Sequence, residues 1–170
     1  MPTQNSFFQS PVGILEIKAT DEHITALLFA NTARRGTQGE VITDLKETNH
    51  LLIQQCKKQL TEYFEGKRTQ FDLPLQQEGS AFQQKVWTTL TGIPYGRTIS
   101  YTELSKRIGD VKAIRAVGTT NGKNSLSIIV PCHRVIGSNG DLTGYGGDLW
   151  RKKWLLDHEA KYANGVQTLF

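Results

Sequence analysis

Apolar residues recur along this chain with two different spacings, first that of a β-strand and then that of an α-helix. The order of the two patterns limits the folds that the chain can adopt. In GILEIKAT and ITALLFA, residues 13–20 and 24–30, apolar and polar residues alternate, which predicts a β-hairpin with its turn at Asp21–His23. From residue 50 onward the apolar residues recur at helical spacing instead. Strands followed by helices indicate a mixed α/β (α+β) protein, in which a small β-rich N-terminal part precedes a helical C-terminal part.

The first helix is predicted over residues 50–65, and Gly66 ends it. Its apolar stripe consists of Leu52, Cys56, Leu60, Tyr63 and Phe64. Because Cys56 lies on this stripe, we expect its thiol to pack in the core. The segment FDLPLQQEGS, residues 71–80, predicts a short strand that leads into a polar linker. We therefore expect two domains, residues 1–79 and 80–170.

The second half contains helix-start signals at short intervals. Ser80 with Gln83 forms a capping box for one helix, and Ser100 with Glu103 forms another that Gly109 ends. Asp110 is placed to cap a third helix at once, over VKAIRAVGTTNG, residues 111–122. Two short helices joined by a glycine-containing turn indicate a helix-turn-helix, although an ordinary helical hairpin has the same pattern.

The third predicted helix has one face without large apolar side chains. Ile114 and Val117 are expected to face the core. The other face carries small residues and two cations: Ala113, Ala116, Gly118, Lys112 and Arg115. A helix of this kind can approach a phosphate backbone closely or enter a groove of DNA.

Charge is distributed unevenly along the 170 residues. The chain has a formal net charge of +4, yet residues 81–135 alone hold eight Lys and Arg against two acids, Glu103 and Asp110. This excess indicates a surface that meets a polyanion, although a solvated basic face is the alternative. No apolar run approaches the ~20 residues needed to cross a bilayer, and MPTQNSFFQS does not resemble a signal peptide. We expect a cytoplasmic protein without membrane association.

The chain has two cysteines, and the second stands beside a histidine in SIIVPCHRVIG, residues 127–137. Two isolated cysteines favour neither a disulfide framework nor a CxxC-type zinc cluster. Ser127–Val130 predicts a buried strand that Pro131 ends, with Cys132 at its mouth. In an extended backbone His133 would point away from the thiol, so a turn or a bridging water is needed. Glu159 is the candidate to orient the imidazole, whereas a buried thiol and a structural histidine are the alternative.

The segment RAVGTTNGKNSLSIIVPCHRVIG, residues 115–137, followed by LTGYGG and RKKWLLDHE, closely resembles the O6-alkylguanine-DNA alkyltransferases, also called methylated-DNA–protein-cysteine methyltransferases. The resemblance covers the C-terminal half, where Pro-Cys-His-Arg-Val is its most specific motif. It implies a ribonuclease-H-like N-terminal domain and a winged-helix-like C-terminal domain. It also implies a single, irreversible transfer of an alkyl group from O6-alkylguanine in DNA, with O4-alkylthymine as a further potential substrate, to the protein's own cysteine.

The resemblance also implies roles for individual residues. Cys132 is the acceptor thiol, His133 its base through a water, and Glu159 the group that holds the histidine. Asn124 supports the loop under the site. Tyr101 serves guanine N3 and the phosphate of the flipped nucleotide. Arg115 fills the gap in the base stack, on a helix whose groove-facing residues are Lys112, Ala113 and Ala116. The carbonyls of Cys132 and Val135 accept from the guanine amino group, and Tyr145 with the backbone at Gly146 walls the pocket and donates to O6.

Double-stranded DNA, bound in the minor groove, is thus the expected partner. No cofactor, metal or obligate protein partner is expected, and cooperative binding along DNA is left open. Three residues depart from the family pattern: Ser125 and Val111 stand where proline is usual, and Asp148 replaces a small residue. These departures bear on substrate range and rate.

Two other functions remain as alternatives. A non-catalytic, alkyltransferase-like binder of DNA lesions would have another residue in place of Cys132. A Cys-His hydrolase would not be expected to carry a basic helix-turn-helix. Transfer of label from O6-methylguanine in a duplex to the protein separates the three functions.

Overall fold

The computed structural model describes residues 2–30, 48–143, 145 and 148–164. The chain divides into two compact units, Met1–Gln77 and Glu78–Phe170. Among the residues described, none of the helices has the length and apolar character needed to cross a membrane.

The first unit contains an antiparallel sheet of three strands, in the order β1-β2-β3: β1 is Gln4–Ser10, β2 is Gly13–Ala19 and β3 is Ile24–Phe29. The predicted hairpin is β2 and β3, and its apolar residues Leu15, Ile17 and Leu27 are fully buried. Strand β1 was not predicted from the sequence, because its two phenylalanines are adjacent and do not alternate with polar residues.

Helix α1, Leu51–Phe64, packs on this sheet. The imidazole of His50 caps it by accepting a hydrogen bond from the Ile53 N–H at 3.3 Å. Cys56 is buried on the core face, as predicted, with Ile53, Gln59, Leu60 and Tyr63. The strand predicted in residues 71–80 is wrong. Only a single bridge joins Leu75 to Ile24, because Pro74 has no N–H with which to extend a ladder.

The second unit begins with α2, Ala81–Leu90, which has the predicted capping box between Ser80 and Gln83. Helix α3, Tyr101–Ile108, follows the short strand β4, Ile99–Ser100. Ser100 caps α3 by accepting from the Glu103 N–H, but the Glu103 carboxylate pairs with Arg107 and does not return the bond. Gly109 ends α3 in the left-handed region, at φ 93°.

Helix α4 is Ile114–Gly122, and it packs on α2 and α3. Asp110 does not cap it. The Asp110 carboxylate instead accepts from the Lys112 N–H at 3.1 Å, and the Ala113 N–H donates to the Asp110 carbonyl. This aspartate-stabilised turn occupies residues 110–113, so the helix begins three residues later than predicted. The two helices and their glycine-containing turn are nevertheless present.

The chain then returns to β4 through strand β5, Val135–Ile136, which pairs with it in parallel. The last helix, α5, is Leu149–Asn164. It buries Leu155 and Leu156 on the same face as Lys152 and Glu159. The second unit therefore brings the turn before β5, the buried face of α5 and the inner face of α4 together.

Candidate active site around Cys132

Cys132 begins a turn of 3₁₀ helix, Cys132–Arg134, and not the end of a strand as predicted. Residues 127–130 form a turn in which the Ile129 N–H donates to the Ser127 carbonyl and the Val130 N–H to the Leu126 carbonyl. Ile128 has φ +71°, a strained conformation for a β-branched residue. The β-branched run thus forms buried turn structure that the surrounding residues hold in place.

Asn124 holds this turn from the inside. Its Nδ2 donates to the carbonyls of Leu126 at 3.3 Å and Val130 at 2.8 Å, and its Oδ1 accepts from the Leu126 N–H at 3.0 Å. The side chain is buried. These three bonds replace the strand partner that the sequence pattern had suggested, and they set the position of Pro131 and Cys132.

His133 and Arg134, the two residues that follow Cys132, form a buried network with Glu159. The His133 Nε2 lies 2.7 Å from the Glu159 Oε2, and both side chains are almost completely buried. The Arg134 guanidinium donates to both Glu159 oxygens, at 2.8 and 3.1 Å, and to the Ile93 carbonyl at 2.8 Å. Glu159, which sequence reasoning placed beside His133, therefore contacts it directly.

Within this network the pKa values of both Glu159 and His133 are lowered, for different reasons. Burial alone would raise the pKa of Glu159, but His133 and Arg134 together hold it well below its usual range. Burial lowers the pKa of His133, against the opposing effect of Glu159. We infer an ionised Glu159 and a neutral His133 that donates from Nε2. The His133 Nδ1 is buried and has no hydrogen-bond partner in the described part of the chain, so it is available as a base.

The Cys132 thiol is buried, with 4% of the residue exposed. Burial raises the pKa of Cys132, while the Asn124 side chain and the charge of Lys152 act in the opposite direction. Lys152 is itself fully buried, and its Nζ donates to the carbonyls of Val135 at 2.6 Å and Thr143 at 2.8 Å. Burial lowers the pKa of Lys152 to about 8. A cation beside the thiol favours the thiolate.

Two tyrosines lie in the same neighbourhood. Tyr101, the first residue of α3, points its hydroxyl toward the Thr143 carbonyl at 3.4 Å. Burial raises the pKa of Tyr145 well above its ordinary value, with a further contribution from Cys132. Burial also raises the pKa of Tyr101, so both phenols remain protonated hydrogen-bond donors at neutral pH. Gly146, named with Tyr145 in the sequence prediction, lies outside the described residues.

The outer face of α4 is exposed. Arg115 and Ala116 point into solvent, Ala113 is half-buried, and Lys112 is exposed in the preceding turn. Val117 is buried as predicted, but Ile114, the first residue of α4, is 40% exposed and does not face the core as expected. Gly118 packs near the Tyr101 ring, 3.9 Å from where a Cβ would lie.

Three residues of this site were not predicted from the sequence: Arg134, Lys152 and Asn121. Arg134 and Lys152 are the cations just described, and Asn121 donates from Nδ2 to the Cys132 carbonyl at 3.2 Å. A signal existed for Lys152, since it lies seven residues before Glu159 and therefore on the same face of α5. The departures Val111 and Asp148 lie at the surface, where Asp148 pairs with Arg151 at 3.0 Å.

Comparison with known protein families matches both units. The family described as 6-O-methylguanine DNA methyltransferase, DNA binding domain, matches residues 81–161. The family described as 6-O-methylguanine DNA methyltransferase, ribonuclease-like domain, matches residues 5–77. The predicted fold class, a small sheet-containing part followed by a helical part, is confirmed.

Individual relatives match over almost the whole chain. A methylated-DNA–protein-cysteine methyltransferase of Mycolicibacterium paratuberculosis is 43% identical over 161 residues, 95% of this chain and 94% of the relative. The constitutive methylated-DNA–protein-cysteine methyltransferase of Bacillus subtilis is 46% identical, over 89% of this chain and 92% of the relative.

Solved structures give the same result. The crystal structure of Mycobacterium tuberculosis O6-methylguanine methyltransferase has a TM-score of 0.81 at 38% identity, covering 95% of this chain and 94% of that one. The Mycobacterium tuberculosis OGT in complex with DNA has a TM-score of 0.80 at 39% identity, covering 93% of both chains.

Proposed function

The chain belongs to the family of methylated-DNA–protein-cysteine methyltransferases, and from this membership we propose that it repairs DNA by moving the alkyl group of O6-alkylguanine to its own Cys132. The observation that carries the assignment to Cys132 is the buried thiol followed by an imidazole that is bonded to an ionised carboxylate at 2.7 Å. We assign DNA binding and transfer to residues 80–170, and the first domain to residues 1–79.

The reaction is a displacement at the alkyl carbon. The Cys132 thiol loses its proton through a water to the His133 Nδ1, and Glu159 stabilises the resulting imidazolium at Nε2. The thiolate attacks the methyl carbon, the S–C bond forms and the C–O6 bond breaks. The departing guanine anion accepts hydrogen bonds from the phenols of Tyr101 and Tyr145 at N3 and O6. It takes up one proton from solvent, and His133 releases to solvent the proton that it took from the thiol, so the protons balance. The product is a thioether on Cys132 and an unmodified guanine.

The target carbon is inaccessible inside a duplex, so the nucleotide has to leave the stack. The exposed face of α4 supports this step. Ala113 and Ala116 allow close approach to the minor groove, Lys112 contacts phosphate, and Arg115 occupies the place of the flipped base. Asn124 holds the turn under Cys132 in one position. The sulfur can therefore attack the alkyl carbon in line with the C–O6 bond that breaks.

The product has no route back to a free thiol, because none of the groups described around Cys132 can hydrolyse a thioether. Each molecule therefore acts once. We place the protein in the cytoplasm, since both cysteines are free and buried, as expected in a reducing compartment.

Transfer of label tests this function. Incubation with a duplex that carries radiolabelled O6-methylguanine should move up to one label per protein molecule, and Cys132→Ser should accept none. Binding of the lesion without transfer would instead support the alkyltransferase-like alternative, and continued turnover beyond one label per molecule would contradict the single use of Cys132.

A further inference from the structure

Asp148 stands immediately before α5 in a backbone conformation that few side chains adopt. Its φ is +75°, in the left-handed region where glycine is usual. Aspartate tolerates this region better than most residues, but the conformation persists only where neighbouring groups hold it. Two interactions of Asp148 do so, one from its side chain and one from its backbone.

The Asp148 carboxylate forms an ion pair with Arg151, with 3.0 Å between Oδ2 and Nη1. Only 10% of the Arg151 side chain is exposed, and its guanidinium lies over the Trp150 ring at 4.6 Å from the centroid. An ion pair between two solvated side chains is weak, because both side chains are free to move. Here burial and the indole ring restrict the cation, so the carboxylate has a partner in a fixed position.

The backbone of Asp148 connects this ion pair to Tyr145. The Asp148 N–H donates to the Tyr145 carbonyl at 3.1 Å, and the Asp148 carbonyl accepts from the N–H groups of Arg151 at 3.2 Å and Lys152 at 3.3 Å. Rotation about φ sets the direction of the N–H relative to the rest of the residue. By holding φ at +75°, the ion pair therefore keeps the Asp148 N–H on the Tyr145 carbonyl.

Tyr145 is thereby tied to the start of α5. Lys152 is fully buried and donates to the Thr143 carbonyl at 2.8 Å, so residues 143 and 145 are both bonded to the first residues of this helix. Only 9% of Tyr145 is exposed. A buried ring whose backbone is held in this way has little freedom to withdraw and make room for a larger group.

We propose that the Asp148–Arg151 ion pair determines specificity: it holds Tyr145 against the alkyl pocket and so limits the size of the O6-alkyl group that the site accepts. The inference rests on the proposed function, in which Tyr145 walls that pocket. Asp148 and Arg151 are positioning residues, since they act through Tyr145. Asp148→Gly would allow the same φ without holding it there, and the wall would yield to larger groups.

Two duplexes that differ only in the alkyl group test the proposal, one with O6-methylguanine and one with O6-benzylguanine. The quantity measured is the ratio of the single-turnover rate constants, benzyl over methyl, which a uniform loss of activity does not change. Asp148→Gly and Arg151→Met should each raise this ratio about fivefold, a modest change for a pocket that discriminates by size. The double variant should raise it no further than either single change, because both remove the same ion pair.

Two further variants serve as controls. Lys153→Met removes another ion pair of α5, the one with Asp157 at 2.6 Å, and should retain the wild-type ratio. Asp148→Asn tolerates a positive φ and still offers Arg151 an acceptor oxygen, so the ratio should stay within about twofold of wild type.

Asp148→Gly keeps the proposal testable even if Arg151→Met does not fold, because glycine adopts a φ of +75° without strain. An unchanged ratio in Asp148→Gly contradicts the proposal. A ratio raised in Asp148→Gly but not in a folded Arg151→Met also contradicts it, since the ion pair would then not be what holds Tyr145. Failure of wild type to accept methyl from O6-methylguanine would contradict the proposed function itself, which is a separate result.

Discussion

At the level of single residues, the neighbourhood of Cys132 combines a base and two kinds of cation. His133 offers Nδ1 because its Nε2 is bonded to Glu159, and Glu159 stays ionised because Arg134 holds both of its oxygens. Cys132, His133 and Glu159 could be predicted from sequence, since a thiol beside a histidine needs an orienting acid. Arg134 could not be assigned by that reasoning, because its neighbours in sequence do not separate a buried cation from a solvated one. Lys152 could have been found, since its spacing from Glu159 places it on the same face of α5.

Glu159→Gln tests the relay. The amide preserves shape but does not stabilise the His133 imidazolium, so the apparent pKa of Cys132 should rise and transfer at pH 7 should slow by about tenfold or more. Raising the pH should restore much of the rate, because hydroxide can then deprotonate the thiol. The measurement is single-turnover transfer against pH, on protein shown by circular dichroism to be folded. A profile that coincides with that of wild type would remove Glu159 from the mechanism.

The same carboxylate makes a prediction about stability. The pKa of Glu159 is lower in the folded protein than its value of roughly 4.3 in an unfolded chain. Its contribution to the free energy of unfolding is therefore fully present above that pH and is lost as the pH falls. Glu159→Gln leaves Arg134 buried without its anion and should cost roughly 3–5 kcal/mol at pH 7. Urea unfolding should show the difference from wild type shrinking below pH 4, and a difference independent of pH would argue against an ionised Glu159.

At the level of elements, local signals predicted helices well and failed where side chains direct the backbone. The Ser80 and Ser100 caps and the Gly109 stop depend on neighbours in sequence, and the structure has all three. The sequence pattern predicts a helix cap at Asp110 and a strand over residues 127–130, whereas the structure has a turn at each place. Both depend on side-chain-to-backbone bonds, from Asp110 in one case and Asn124 in the other, that compete with the regular element the pattern suggests.

Helix α4 carries Arg115 on its exposed face. Arg115→Ala should slow transfer from duplex O6-methylguanine by about tenfold, because the unstacked nucleotide loses the side chain that fills its place. Affinity for the duplex should change less than about threefold, since phosphate contacts supply most of it. The free base O6-methylguanine needs no flipping, so its reaction should be unaffected. If Arg115→Ala repaired the duplex as fast as wild type, Arg115 would not be the residue that fills the place of the flipped base.

At the level of the whole molecule, the charge of the two units differs in sign. Residues 78–170 hold twelve Lys and Arg against seven acids, whereas residues 1–77 hold eight against nine. Five exposed basic residues lie on or beside α3 and α4: Lys106, Arg107, Lys112, Arg115 and Lys123. Five of the eight Lys and Arg in residues 81–135 are thus on the surface of the helix-turn-helix.

Binding to DNA should follow from this surface. Affinity should depend little on base sequence and should weaken with salt, with log K against log[salt] falling with a slope of roughly −4 if about four phosphates are neutralised. Lys112→Ala should reduce the magnitude of the slope by about 1. Fluorescence anisotropy over a salt series measures both values. A slope near zero would place the contact surface elsewhere.

We propose Cys132 as the alkyl acceptor, and intact-mass spectrometry with peptide mapping tests this assignment. After reaction with a duplex that carries one O6-methylguanine per strand pair, the protein should gain one methyl group, on the peptide that contains Cys132. Cys56 is buried and its pKa is raised to about 12, so it should stay unmodified as the internal control. A methyl group on Cys56, or loss of methyl from the DNA with no gain in protein mass, would show that Cys132 is not the acceptor.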